Sequence, residues 1–341
     1  MTDGPQQAPL AQTLNELLRG AWITQAIHVA SRLRLADLVA ERPRPVAELA
    51  AACGAHPGAL ARLVRALASY GLFDQDSEGR VVLTPLAELL RADVPGSQRA
   101  YANFIGASWH RQAWTHLEHA VRTGEPAFEH AFGKQLFDYF RDDPAAAEVF
   151  HDAMTGVSGQ NAAAVAAAYS FDGIRTLVDV GGGHGFLLAT ILRAHPHLRG
   201  VLYDRPEVVA GAGPVLDAAG VGDRCDIAAG DFFRSVPRGG DAYIMKAIIH
   251  DWDDDRCATI LGHCREAMGP RGVLLIVDCV VPGGHEGAFA KILDLEMLVM
   301  THHGRERTEA EFRALLARVG FVLTRVVPTG APQSVVEGRP A

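Results

Sequence analysis

Apolar positions recur at two different spacings along this chain, and the change between them falls near residue 172. Before that point the spacing is helical. Leu14, Leu17, Leu18 and Ala21 recur at helix spacing, and residues 10–40 read as helical. Residues 45–91 read as helix, turn, helix and hairpin. PVAELAAACG stops at Gly54, HPGALARLVRALASYG stops at Gly71, and DSEG separates the extended runs LFD and RVVLT. That order is a winged-helix pattern. Helical spacing continues through 101–171. Beyond it, strand-like runs at 175–180, 199–203, 224–228, 241–246, 272–280 and 321–327 alternate with helical stretches such as 187–193, 255–268 and 308–319. Regular alternation of this kind predicts one doubly wound α/β sheet. The closing EGRPA reads as a loose end. No internal repeat or low-complexity tract interrupts the pattern.

The turn after the first strand of that sheet is rich in glycine. LVDVGGGHGF, residues 177–186, joins a strand-like run to a helical one, and Asp204 closes the next run, VLYD. Gly181, Gly182, Gly183 and Gly185 permit a sharp turn and close approach of a ligand to the backbone. An acid at the end of the second strand stands where ribose hydroxyls need an acceptor. The glycines follow G-x-G-x-G rather than the dinucleotide G-x-G-x-x-G, and no Walker lysine follows. A glycine turn and a ribose acid without a phosphate cradle suit an adenosyl ligand. The segment resembles motif I of class I S-adenosylmethionine (SAM) methyltransferases.

Composition narrows the picture. The chain has 341 residues, 48% hydrophobic and 21% charged, with formal net charge −8, which is ordinary for a globular protein of two domains. No apolar run approaches a membrane span, and MTDGPQQAP is not a signal peptide, so a cytoplasmic enzyme is the expectation. The five cysteines contain no C-x-x-C pair, which argues against a zinc site or a disulfide framework. His302–His303, and His263 beside Cys264, are the nearest approaches to a metal motif; they are read as loop or surface histidines. A winged helix raises the question of DNA. Between Pro45 and Arg91 there are four basic residues (Arg62, Arg65, Arg80, Arg91) and five acidic ones (Glu48, Asp74, Asp76, Glu78, Glu88). Nucleic-acid binding needs a basic footprint, so this module reads as a packing or dimerisation surface. Residues 101–171 hold twelve of the chain's 24 aromatic residues (14 Phe, 6 Tyr, 4 Trp in all). Core packing explains most of them; their concentration also suits an aromatic-lined pocket.

Ligands in such sheets bind at the carboxyl ends of the strands. The run DAYIMK ends at Lys246 and is followed by AIIHDWDDD, so His250 lies just beyond a strand end on the ligand side, with Asp251 and Trp252 adjoining. The run GVLLIVD brings Asp278 to the same edge. A histidine so placed, among acids, is a candidate general base.

Here the resemblance becomes specific. LVDVGGGHG, GDFF, MKAIIHDWDDD, IVDCVVP and DLEMLVMTHHGRERTEAEF resemble the plant-type and bacterial small-molecule O-methyltransferases, the family of caffeic acid and hydroxyindole O-methyltransferases. With the winged N-terminus, the likeness covers nearly the whole chain. It implies that Gly181 and Gly183 shape the SAM turn and that Asp204 binds the ribose hydroxyls. It implies that Asp231 and Phe232 flank the adenine and that Lys246 lies near the cofactor. His250 is implied as the catalytic base, with Asp278 and Glu306 flanking it and orienting its imidazole. Phe150, Met154, Met297 and Thr301 fall where the family contacts substrate. Many members carry Glu where this chain has Asp278; one methylene less lengthens the contact with His250 or shifts the strand end.

The expectation is therefore a doubly wound, Rossmann-like SAM-methyltransferase sheet over 172–341. Before it come a helical, winged-helix dimerisation domain over 1–100 and a helical linker and substrate-pocket region over 101–171. The expected activity is SAM-dependent O-methylation of a hydroxylated aromatic small molecule in specialised metabolism, giving S-adenosylhomocysteine, without a metal, a membrane or nucleic acid. The expected assembly is a homodimer. Two alternatives stand beside it: a winged-helix, ligand-responsive DNA-binding regulator, and a SAM-binding homologue with N- or C-methylating or non-methylating chemistry.

Overall fold

The computed structural model describes residues 7–341. The chain divides into two compact units. One runs through Gln112 and takes in Asp143–Gly156; the other comprises Ala113–Asp142 and Val157–Ala341.

In the first unit, the stretch expected to be helical over 10–40 forms three helices, Gln7–Leu18, Gly20–Arg32 and Leu35–Val39. The last break sits at Arg34, whose φ of 55° is left-handed and cannot continue a helix. The winged pattern is present. Helices Val46–Cys53 and Pro57–Ala68 precede strands β1 (Asp74–Gln75) and β2 (Val81–Val82), which pair antiparallel. Leu49, Leu60, Val64, Leu67, Phe73 and Val81 build the core here, while Arg62 and Arg65 lie on the exposed side of their helix. Leu14, Leu17, Leu18 and Trp22 remain 57–74% exposed in the single chain.

The second unit is organised by a seven-stranded sheet. Its strands are β3 (Thr176–Val180), β4 (Arg199–Asp204), β5 (Cys225–Ala229), β6 (Ala242–Lys246), β7 (Val273–Asp278), β8 (Phe321–Pro328) and β9 (Ser334–Pro340). They lie in the order β5-β4-β3-β6-β7-β9-β8. β3 to β7 pair in parallel, and β9 runs antiparallel to both of its neighbours. Period-two alternation sends Leu177, Leu202, Ile244 and Leu275 into one face and Val178, Tyr203, Tyr243 and Ile276 into the other. Helices cover both faces, so the strands read as continuous apolar runs, as expected.

One expectation is overturned. The closing EGRPA is not a loose end: Glu337–Pro340 belong to β9, an interior strand between β7 and β8. Its charge concealed it. Glu337 is only 3% exposed and is held by Tyr169 Oη at 2.7 Å, Thr324 Oγ1 at 2.7 Å and Arg325 Nε at 2.9 Å. A buried acid so well supplied with donors does not break a strand.

Candidate active site

β3 ends in the glycine turn. Gly181 and Gly183 have φ of 69° and 60°, a left-handed conformation that favours glycine. A Cβ at Gly181 would meet Ile248 Cδ1 at 2.6 Å and Phe232 Cε1 at 3.4 Å, so the turn, Phe232 and Ile248 converge. A Cβ at Gly183 would meet nothing within 4 Å. The backbone there borders open space. The Gly183 N–H donates to Asp204 Oδ2 at 2.8 Å, which locks the turn to the end of β4 and leaves lone pairs on the carboxylate for a diol. Asp231 follows β5; its Oδ1 accepts from Phe233 N at 2.9 Å, and it remains exposed beside Phe232. Open backbone at Gly183, the apolar Phe232 and Ile248 beside Gly181 and the Asp204 carboxylate at the end of β4 are groups of the kinds that an adenosyl ligand needs. Lys246 ends β6. Burial lowers its pKa, against the opposing charges of Asp179 and Asp278.

Asp179 lies beneath the glycine turn and was not singled out by sequence. It is 1% exposed, and a Cβ at Gly182 would sit 2.6 Å from its carboxyl. Burial, with Asp204 nearby, lifts its pKa to about 7 despite Lys246. Only its place within VDVGGG could have signalled it.

β6 delivers His250 by way of Ala247, a non-glycine residue at φ 54°. Its N–H donates to Val277 O at 3.1 Å and Asp278 Oδ1 at 3.0 Å. Asp278 therefore braces the bend that leads to His250 and is not hydrogen-bonded to the imidazole; its Oδ2 accepts no hydrogen bond. Glu306 does contact the ring. Its Oε1 lies 2.7 Å from Nδ1, and Asp251 Oδ1 lies 3.6 Å from Nε2. The Glu306 side chain is fully buried, and that of His250 is 13% exposed. Burial alone would lower the histidine's pKa. The charge of Asp251, the hydrogen bond to Glu306 and the charge of Asp278 outweigh it and raise the value to about 10. Burial also pushes Asp251 and Asp278 above the usual carboxylate range. Asp251 was visible in HDWDDD only as one acid among four.

Met297 and Thr301 close helix Ala288–Met300, where Thr301 Oγ1 donates to Met297 O at 2.8 Å. Trp114 Nε1 donates to Glu296 Oε2 at 2.6 Å and braces that helix. Phe150 and Met154 belong to the first unit, where the Phe150 and Phe104 ring centroids are 5.8 Å apart. Among the described residues, no group of three or more His, Cys, Asp or Glu is arranged to hold a metal ion. Among them, too, no helix is long and apolar enough to cross a membrane.

An O-methyltransferase domain model matches residues 114–322, and an O-methyltransferase dimerisation domain model matches 15–93, the winged segment included. The chain is 47% identical to phenazine O-methyltransferase PhzM of Lysobacter antibioticus, over 97% of each sequence. It is 35% identical to phenazine-1-carboxylate N-methyltransferase of Pseudomonas aeruginosa, over 93% of each. Among solved structures it resembles NcsB1 from neocarzinostatin biosynthesis, in complex with SAM and 2-hydroxy-5-methyl naphthoic acid. That match has a TM-score of 0.78 at 33% identity and covers 93% of this chain and 96% of that one.

Proposed function

The chain belongs to the O-methyltransferase family, SAM-dependent methyltransferases of natural-product biosynthesis, and we propose that it methylates a hydroxyl of an aromatic small molecule with His250 as general base. The observation that carries this is the hydrogen bond of 2.7 Å between His250 Nδ1 and Glu306 Oε1 at the strand ends beside the glycine turn. A carboxylate only accepts, so Nδ1 carries its hydrogen and Nε2 is the atom left to exchange a proton. A phenol, with pKa near ~10, is mostly un-ionised at neutral pH. SAM, when bound, supplies a methyl group on a sulfonium and departs as S-adenosylhomocysteine. The residues of the chain do the rest. Nε2 takes the hydroxyl proton as the oxygen–carbon bond forms, a contribution of typically ~10²–10⁴-fold. Positioning of the oxygen in line with the methyl supplies much of the remainder.

Asp204 is assigned the ribose hydroxyls, Asp231 and Phe232 the adenine, Gly181 and Gly183 the close backbone approach, and Lys246 the cofactor's vicinity. Phe150, Met154, Met297 and Thr301 are assigned to the aromatic substrate. Exposed Leu14, Leu17 and Leu18 of the first helix and Trp22 of the second are assigned to a second copy of the chain, as the dimerisation domain supports. The test is a mass-spectrometric screen with SAM against hydroxylated phenazines, hydroxybenzoates and hydroxynaphthoates, each beside its amino or aza counterpart. Methyl transfer to oxygen is expected. Transfer only to nitrogen would replace this reading with the second one, N-methylation, which the Pseudomonas relative favours.

A further inference from the structure

We propose that Arg307 is a positioning residue for methyl transfer: its guanidinium sets the height and direction of His250 by gripping both ends of the turn that carries it. The turn is the 3-10 segment Ile249–Asp251. Arg307 Nη1 donates to Ile249 O at 2.9 Å, before His250, and Nη2 donates to Trp252 O at 2.9 Å, after it. Nε and Nη2 both donate to Asp254 Oδ1, at 3.0 and 2.7 Å, which anchors the next helix by its first residue. Nη1 also reaches Arg305 O at 3.4 Å, and Nη2 reaches Cys257 Sγ at 3.5 Å. The five N–H donors of a guanidinium are thereby occupied around one turn, by a side chain that is 1% exposed.

Adjacent residues of one segment thus hold the same turn in different ways. Glu306 holds the imidazole, and Arg307 holds the backbone beneath it. The Arg305 N–H adds a third tie, to His250 O at 2.8 Å. Gly304 lets the two segments meet: a Cβ there would lie 2.6 Å from His250 O. Arg307 is itself tied to the segment that follows β7, its carbonyl accepting from Val281 N at 2.9 Å. Lysine cannot replace it, because three donors on one atom do not span two carbonyls and a carboxylate. Arg307 is assigned no contact with substrate or cofactor, and it acts through His250. The proposal rests on the reading of His250 as the base.

The experiment compares the full-length wild type, Arg307→Lys, His250→Ala and the double variant. Single-turnover transfer is followed with SAM and a phenol accepted in the screen. The His250 imidazole is titrated by NMR with S-adenosylhomocysteine bound, its signal assigned by its loss in His250→Ala. Arg307→Lys is expected to slow transfer ~10-fold or more, since misplacement by about 1 Å costs up to ~10²-fold. On the His250→Ala background it is expected to cost less than about twofold, because the two changes act as one. The imidazole, loosened from Glu306 while Asp251 and Asp278 remain, should titrate lower than in the wild type. An unchanged imidazole titration, or an equal slowing on both backgrounds, would overturn the proposal. If Arg307→Lys does not fold, Asp254→Asn loosens the same grip, and the same two outcomes decide. Wild-type turnover by His250→Ala would overturn the base reading instead, while the titration still reports on Arg307.

Discussion

Glu306 and His250, 56 residues apart in the chain, meet through a hydrogen bond of 2.7 Å from Nδ1 to Oε1. The buried carboxylate accepts from Nδ1 and so leaves Nε2, 3.6 Å from Asp251 Oδ1, as the ring nitrogen that can exchange a proton. The same contact, with the charges of Asp251 and Asp278, raises the imidazole pKa well above 6.5 against the effect of burial.

His250→Ala should damage turnover more than binding. SAM is assigned to Gly181, Asp204 and Phe232, so its affinity is expected to stay within about threefold while transfer falls by ~10²-fold or more. Glu306→Gln and Asp278→Asn should lose less, because one orients the ring and the other braces Ala247. Calorimetry and single-turnover methylation of an accepted phenol separate the two effects. Near-normal turnover by His250→Ala would mean that another residue is the base or that proximity suffices.

The rate should rise with pH. His250 is protonated below its raised pKa of about 10, and a protonated imidazole cannot accept the substrate proton. kcat/KM, which reports the free enzyme, is expected to climb with a midpoint well above the ordinary 6.5. Glu306→Gln removes a cause of the raised value, so its midpoint should move down toward 6.5. A midpoint unmoved by that change would separate the profile from His250.

Asp204→Ala should abolish measurable SAM binding. Each charge-assisted bond to a ribose hydroxyl is worth ~1.5–3 kcal/mol, and the Gly183 N–H also loses its acceptor. Calorimetry tests this directly; binding of NAD and not of SAM by the wild type would contradict the cofactor assignment.

Glu337→Gln should destabilise the methyltransferase sheet by about 1–3 kcal/mol, because buried donors on Tyr169 and Thr324 and the Arg325 charge lose their carboxylate. Burial opposes the charge of Glu337, but hydrogen bonds from Tyr169, Thr324 and Arg325 lower its pKa from 4.5 to about 2. A depressed carboxylate contributes stability that is complete above pH 4.5 and is lost as pH falls through about 2. Urea denaturation at pH 7 and pH 3 should therefore show a smaller difference between wild type and variant at the lower pH.

Leu14→Glu with Leu17→Glu should convert a dimer into monomers. These side chains are 57% and 73% exposed in the single chain, and two buried charges oppose a shared apolar interface. Light scattering at micromolar concentration reads the change. A monomeric wild type would count against the interface, and salt-sensitive, sequence-selective binding to duplex DNA would revive the regulator.

Much of the site was legible because its signals are local. Gly181, Gly183 and Gly185 supply the left-handed backbone of the turn, which glycine adopts without strain, and Asp204 lies one helix and one strand further on. The strand runs from 175 to 280 carry their own apolar pattern, and the order of elements places His250 at a strand end without knowledge of any contact. Tertiary structure alone decided the rest. It set β9 between β7 and β8, although EGRPA carries no strand signal, because Glu337 takes its donors from Tyr169, 168 residues away, and from Arg325 across the ladder. It gave Asp278 to Ala247 rather than to the imidazole, chose Asp251 from a run of acids, and put Arg307 behind the turn. Backbone periodicity is a property of neighbouring residues, whereas the partner of a buried charge depends on which distant strand or turn arrives beside it.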